Sequence, residues 1–332
     1  MKLLSFESVT PDGAFPRIGA LLPDSELFVD LSAAFYLRLI DRSASPEAAL
    51  RISRALLPGD MVDFIASGAQ SYEAAEEILD WVRRKGFEPG LRHEGVMPVL
   101  RQEDVKLLPP LMPPMLRDFM AFETHLKNIY PKLGREIPPA WYEFPVYYKG
   151  NPFSLATHGD EIPMPPYADE LDFEFELAVI IGPGGQNIPH EEVERHIFGY
   201  TIYNDFSARD IQNREMTVGL GPAKGKDFTK GHVIGPYLVT ADEIPDFYNL
   251  NLVARVNGEV WCEGNTGSIH WRLEDMIARA SLGEKLQPGE LLGTGTVGWG
   301  SGAERGKFLK PGDWVELEVE GLGLLRNKVV AR

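Results

Sequence analysis

The chain carries a single cysteine, Cys262, in 332 residues, so it cannot form an intramolecular disulfide. That fits a reducing compartment, and Cys262 reads as a small buried hydrophobe on a strand. No run of about 18 apolar residues occurs, which excludes a membrane-spanning helix by hydropathy. The opening MKLLSFESVTPDG lacks the long apolar stretch of a signal peptide, and cytoplasm is the expected location. Positive charge is scarce as well: 33 Lys and Arg stand against 49 Asp and Glu, a formal net charge of −16. Without a local basic patch, neither nucleic acid nor an anionic membrane is an expected partner. Regular strand–helix alternation is missing, which argues against a doubly wound parallel sheet. No internal repeat or low-complexity tract is present.

What remains is 44% hydrophobic and 25% charged, enough for a sizeable core in one large or two smaller domains. Residues 1–35 read as strands, with Pro23-Asp24-Ser25 as the turn of a hairpin. From 46 to 86 the pattern is helical. Ser71 is placed to cap a helix through AAEEILDWVRRK, whose last turn carries Arg83, Arg84 and Lys85 before Gly86. The proline-rich stretch 108–115 reads as a linker, dividing a small N-terminal domain (1–107) from a larger one (108–332). The larger part is mostly strand. Asn257-Gly258 suits a type I′ hairpin turn, and a second hairpin closes the chain with its turn at 321–323. Short helices are expected after Pro189, across LEDMIARASL, and from Ser207 with Asp210 as a capping box.

The segment LDFEFELAVIIG sets Glu174 and Glu176 two residues apart on an alternating strand. Both project to one face, roughly 7 Å apart at Cα. Taken alone, an acidic outer face reads as a solvated strand. Like charges so close also suit a hard divalent cation with oxygen ligands. Upstream, RDFMAFETHLKN carries Asp118 and, seven residues on, His125. Downstream, GYTIYNDFSARDIQ delivers Asp205 at the end of an apolar run, followed by Arg209 and Gln212. Lys226 lies in GLGPAKGKDF and Thr296 in GELLGTGTVGWG.

In this order, these motifs resemble the fumarylacetoacetate hydrolase superfamily over roughly residues 110–332, and more loosely over the N-terminal third. The resemblance implies a β-rich α+β chain: a mixed β-roll of that family's C-terminal type behind a small N-terminal α+β domain. It implies a site in which Asp118, Glu174, Glu176 and Asp205 hold Mg²⁺, or Mn²⁺ or Ca²⁺. Four carboxylates are untenable together when buried unless a cation offsets them, and oxygen-only ligation disfavours zinc. By the same resemblance His125 is the general base toward water, Arg209 and Gln212 contact the substrate carboxylate and oxyanion, and Lys226 steadies the developing enolate. Lys149, in YYKGNP, and Thr296 are expected at the substrate, a small oxo acid, and a homodimer is expected.

Two positions depart from the family's patterns. The decarboxylase and acylpyruvase branch has a Glu three residues after the histidine, where this chain has Asn128. The fumarylacetoacetate-cleaving branch has a tyrosine four residues past the glutamine, where this chain has Met216. The stretch 126–148 reads as the lid that sets specificity. The implied activity is hydrolysis of a carbon–carbon bond in a β-diketo acid, in aromatic-compound or amino-acid catabolism. A decarboxylase or isomerase of unsaturated 2-oxo diacids is the alternative on the same fold, and a binding protein with a structural metal the alternative from another class.

Other motifs carry less. GTGTVG at 293–298 satisfies G-x-G-x-x-G by letter, but WGSGAERG follows it rather than a helix. GPAKGK is one residue short of a phosphate-binding loop. His190 and His196 are six apart rather than the four of a zincin pair. His93, His158, His232 and His270 lack a local partner pattern and read as structural or surface residues.

Overall fold

A computed structural model describes residues 1–10, 13–23 and 25–331. Two compact units result, Met1–Leu111 and Met112–Arg332, with the proline-rich stretch at their junction. In the first unit, β1 (Lys2–Thr10), β2 (Gly13–Leu21) and β3 (Leu27–Asp30) form an antiparallel meander. Asp24 of the expected hairpin turn lies outside the described residues. Four helices follow: α1 (Leu31–Asp41), α2 (Pro46–Leu56), α3 (Met61–Ala66) and α4 (Ala69–Lys85). Then β4 (Val99–Arg101) returns to β3 and β5 (Lys106–Leu108) to β1.

Helix α1 begins where the strand reading continued. Asp30 ends β3 and caps the helix, its carboxylate accepting the Ala33 N–H. Its residues are apolar nearly all round, so no polar face marks a helical period. Ser71 does not cap α4. The helix starts at Ala69 after Gly68, and Ser71, inside it, donates to the Leu56 carbonyl at 2.5 Å. The C-terminus is as expected, with Gly86 at φ 66°.

The second unit is mixed α+β and rich in sheet. Its chain order runs β6 (Leu116–Phe119), α5 (Glu123–Ile129), β7 (Tyr147–Gly150), β8 (Leu155–Ala156), β9 (Glu161–Pro163), β10 (Leu171–Asp172) and β11 (Phe175–Ile181). There follow β12 (Ile197–Asp205), β13 (Ser207–Ala208), α6 (Arg209–Met216), β14 (His232–Thr240), β15 (Asn251–Val256) and β16 (Glu259–Asn265). The chain ends with α7 (Leu273–Ser281), β17 (Leu291–Gly293), β18 (Trp314–Val319) and β19 (Gly323–Val330).

One set of strands runs β14-β12-β11-β17-β6-β7, antiparallel except for the parallel β17–β6 pair. The other runs β16-β15-β18-β19-β9. Its two hairpins are those read from the sequence, with Asn257 at φ 53° and Gly258 at φ 81°. Cys262 is buried on β16. Strand β11 lies between β12 and β17, and all seven of its residues are buried. The acidic face of this segment is therefore not solvated. Among the described residues no helix is long and apolar enough to cross a membrane.

Candidate functional site

Three strands of one sheet bring three carboxylates together. Asp118 comes from β6, Glu176 from β11 and Asp205 from the end of β12, and one oxygen of each lies within 4.8 Å of the others. Between β11 and β6 runs β17, whose Gly293 pairs with Asp118. A Cβ at Gly293 would sit 2.5 Å from Asp118 Oδ1, so only glycine leaves the aspartate its place. Two residues on, Gly295 at φ 82° donates its N–H to Glu176 Oε2 at 2.9 Å. Thr296 Oγ1 stands 3.4 Å from the other oxygen of Glu176. The GTGTVG segment thus makes the carboxylate site rather than a dinucleotide loop.

Burial and the charge of Asp205 push the Asp118 carboxyl well above its ordinary range. Burial and Asp118 do the same to Glu176. Among the described residues, Asp118 Oδ1 and Asp205 Oδ1 are buried without a hydrogen-bond partner. Oxygen-only donors, two of them unpartnered, in a cluster whose Asp118–Glu176 pair is uncomfortable as two anions, fit a hard divalent cation.

Glu174 does not join this cluster. Its side chain turns to Arg209 Nη2 at 2.8 Å and to Lys226 Nζ, which also contacts Asp205 Oδ2. Burial alone would raise Glu174, but the two cations outweigh it and hold its pKa at about 2. Lys226 is 2% exposed and so is no surface lysine. Asp205 likewise stays below the usual carboxylate range, because Lys226 outweighs its burial. Arg209 is anchored by Asp172 Oδ2 at 2.8 Å and donates from Nη1 to Gln212 Oε1 at 3.0 Å. Ser207 is not a helix cap: α6 starts at Arg209, and the Ser207 hydroxyl donates to Glu174 Oε2 at 3.2 Å.

His125, on α5, is buried beside this array. Its Nδ1 lies 3.1 Å from Glu304 Oε2, and its Nε2 faces Glu174 Oε1 at 3.8 Å. Glu304 is 2% exposed and accepts the N–H groups of Trp299 (2.8 Å) and Ser301 (3.0 Å). Asn128 donates its amide to Glu304 Oε1 at 2.8 Å. Burial opposes ionisation of Glu304, yet His125, Asn128 and Trp299 hold it below the ordinary value.

A cavity of about 310 Å³ opens onto these groups. Asp118, Glu176, Lys226, Gln212 and Thr296 line it, and Leu126, Ile129, Leu133 and Met216 form an apolar wall near Arg135. The wall belongs largely to the stretch read as a lid. Trp141 anchors that stretch through an indole N–H donated to the Met120 carbonyl at 2.8 Å.

Lys149 does not reach the cavity. Successive residues of β7 point to opposite faces. Tyr148 therefore faces inward, donating to Asp205 Oδ2 at 2.7 Å, while Lys149 pairs outside with Glu284 at 3.1 Å.

The chain matches a family model described as the C-terminal domain of fumarylacetoacetate (FAA) hydrolase over residues 115–330. It belongs to that family. An uncharacterised protein of Staphylococcus aureus strain USA300 is 34% identical over 230 residues, 68% of this chain and 72% of that protein. A fumarylacetoacetate hydrolase from psychrophilic Exiguobacterium antarcticum superposes with a TM-score of 0.70 at 26% identity, covering 100% of both chains. A maleylpyruvate hydrolase from Sphingobium sp. SYK-6, in complex with manganese(II) ion and pyruvate, superposes with a TM-score of 0.68 at 20% identity, covering 100% of this chain and 99% of that one.

Sequence reasoning missed Glu304, Tyr148, Asp172 and Arg135 at or behind the cavity. Glu304 lies in AERG, an ordinary charged turn by composition, and no local spacing links it to a histidine 179 positions earlier. Tyr148 carried a signal: period-two alternation in YYKG, given one known inward residue.

The raised Asp118 and Glu176 carboxyls predict how a cation binds. Proton and cation compete for the same oxygens, so affinity for Mn²⁺ is expected to fall as pH falls, with proton release on binding. Calorimetric titration in two buffers of different ionisation enthalpy measures this. Equal heats in both buffers would mean that no proton leaves.

Proposed function

We propose that this chain is a divalent-metal-dependent hydrolase that cleaves a carbon–carbon bond in a β-diketo acid of fumarylacetoacetate or acylpyruvate type. The observation that carries this reading is the Glu304–His125 pair standing beside the carboxylate cluster. Asp118, Glu176 and Asp205 would hold the cation, Mg²⁺ or Mn²⁺, and Glu174 stands behind them as counter-ion to Lys226 and Arg209. The bound cation supplies a Lewis acid for the adjacent oxygens of an oxo acid.

The chain's own groups do the rest. Glu304 Oε2, 3.1 Å from His125 Nδ1, is a counter-charge on that side of the ring and leaves Nε2 to serve as the base, the arrangement a water-activating histidine needs. His125 takes a proton from water as its oxygen attacks the carbonyl, and returns it to the departing carbon. Lys226 offsets negative charge that develops near Asp205 and Glu174. Gln212 is available to the carboxylate end of the substrate, while Leu126, Ile129 and Leu133 offer an apolar wall that excludes water. Hydrolysis requires such a base, whereas decarboxylation needs only an electron sink and a later proton donor. A histidine paired with Glu304, with Asn128 where the resembling decarboxylase branch has its glutamate, therefore favours water attack.

Turnover of acylpyruvates with Mg²⁺ in ¹⁸O-labelled water tests the reading. One labelled oxygen is expected in the carboxylic acid formed by cleavage. Release of CO₂ from a 2-oxo diacid, with no labelled acid from any diketone, would replace hydrolysis by decarboxylation.

A further inference from the structure

His232 opens β14 opposite Asp205 on β12 and has no exposed surface. Both of its ring nitrogens meet a carboxylate. Nε2 lies 3.0 Å from Asp227 Oδ1, and Nδ1 lies 3.0 Å from Asp205 Oδ1. The Tyr203 hydroxyl stands 2.8 Å from the same Nδ1. Asp227 is held in turn by the Asn151 N–H, donated at 2.8 Å. Gly150 leaves room for the ring, because a Cβ there would sit 3.1 Å from His232 Nε2. The other oxygen of Asp205 receives the Tyr148 hydroxyl at 2.7 Å and the Lys226 ammonium. Asp205 Oδ2 is thus held by hydrogen bonds from Tyr148 and Lys226, while its Oδ1 stands at ion-pair distance from His232 with no hydrogen bond of its own among the described residues.

We propose that His232, braced from behind by Asp227, is a positioning residue that orients Asp205 and so preforms the Asp118–Glu176–Asp205 cluster for a divalent cation. The proposal rests on the reading of that cluster as a cation site. Outer groups that orient a ligand commonly govern affinity by 10–100-fold when removed. The chain Asp227–His232–Asp205 has that form without His232 itself contacting the cavity. Asp227 follows Lys226 in sequence, so one loop supplies both the cation at Asp205 Oδ2 and the brace for the imidazole at Oδ1.

The test is calorimetric titration of the full chain with Mn²⁺ at fixed pH, with a thermal melt of each variant. Asp227→Asn keeps the shape and can still accept from Asn151, so the fold is expected to survive. Asp227→Asn and His232→Gln are each expected to weaken Mn²⁺ binding by about 10–100-fold. The double variant is expected to lose little beyond the larger single loss, since both act through one chain of contacts. An Asp227→Asn variant with lowered melting temperature but unchanged Mn²⁺ affinity would make the network a structural staple and overturn the proposal. Independent, additive losses would overturn it as well. If His232→Gln does not fold, Asp227→Asn alone decides. Failure of the unmodified chain to bind Mn²⁺ would instead remove the reading of the cluster as a cation site, and the proposal with it.

Discussion

Glu176→Gln is expected to weaken Mn²⁺ binding by more than about 100-fold, beyond the loss typical of groups that only orient a ligand. Glutamine keeps the shape and still accepts the Gly295 N–H through its carbonyl, so the local backbone has no reason to move. What it removes is one of three anionic donors in a buried cluster. The same change relieves a repulsion. Burial and Asp118 raise the Glu176 carboxyl well above its ordinary range, so in the metal-free protein this charge is unfavourable. The metal-free variant should therefore melt at or above the temperature of the parent while binding far less Mn²⁺. Calorimetry paired with a thermal melt reads both quantities. Unchanged affinity would remove Glu176 from the ligand set, and a joint loss of stability and affinity would mean that the substitution disturbed the fold.

The second large effect concerns the base. His125→Ala is expected to lower turnover by about 10²–10⁴-fold, the usual range for loss of a positioned acid–base group. Mn²⁺ affinity should remain, because His125 contacts Glu304 and Glu174 rather than the three clustered carboxylates. Glu304→Gln should lose part of the same activity, since an amide holds the imidazole less firmly than a carboxylate does. Steady-state kinetics beside a Mn²⁺ titration separates these outcomes. Near-normal turnover in His125→Ala would move the base elsewhere.

Local chemistry made much of this chain readable. Asn257-Gly258 adopts the positive φ values a type I′ turn requires, and only those residue types do so cheaply. Gly86 ends its helix in the left-handed region for the same reason. Signals shared by two conformations misled: Ser71 and Ser207 look like caps wherever a helix follows within a few residues. Ser71 instead bonds to the Leu56 carbonyl and Ser207 to the carboxylate of Glu174. The division of Glu174 from Glu176 was not readable at all. Two glutamates on one strand face are equivalent by period, and their difference arises from what other segments bring to each. Arg209 and Lys226 arrive beside Glu174, while Asp118 and the Gly295 N–H arrive beside Glu176.

By itself, the sequence determined the motif set that marks the family and several turns and helix ends, because these depend on residue type and short spacing. Tertiary structure alone decided which carboxylates meet, that Lys149 points away while Tyr148 points in, that His232 is buried beside Asp205, and that Glu304 stands beside His125. Each of these is a contact between residues distant in the chain. No periodicity encodes such contacts, because they depend on how distant segments pack.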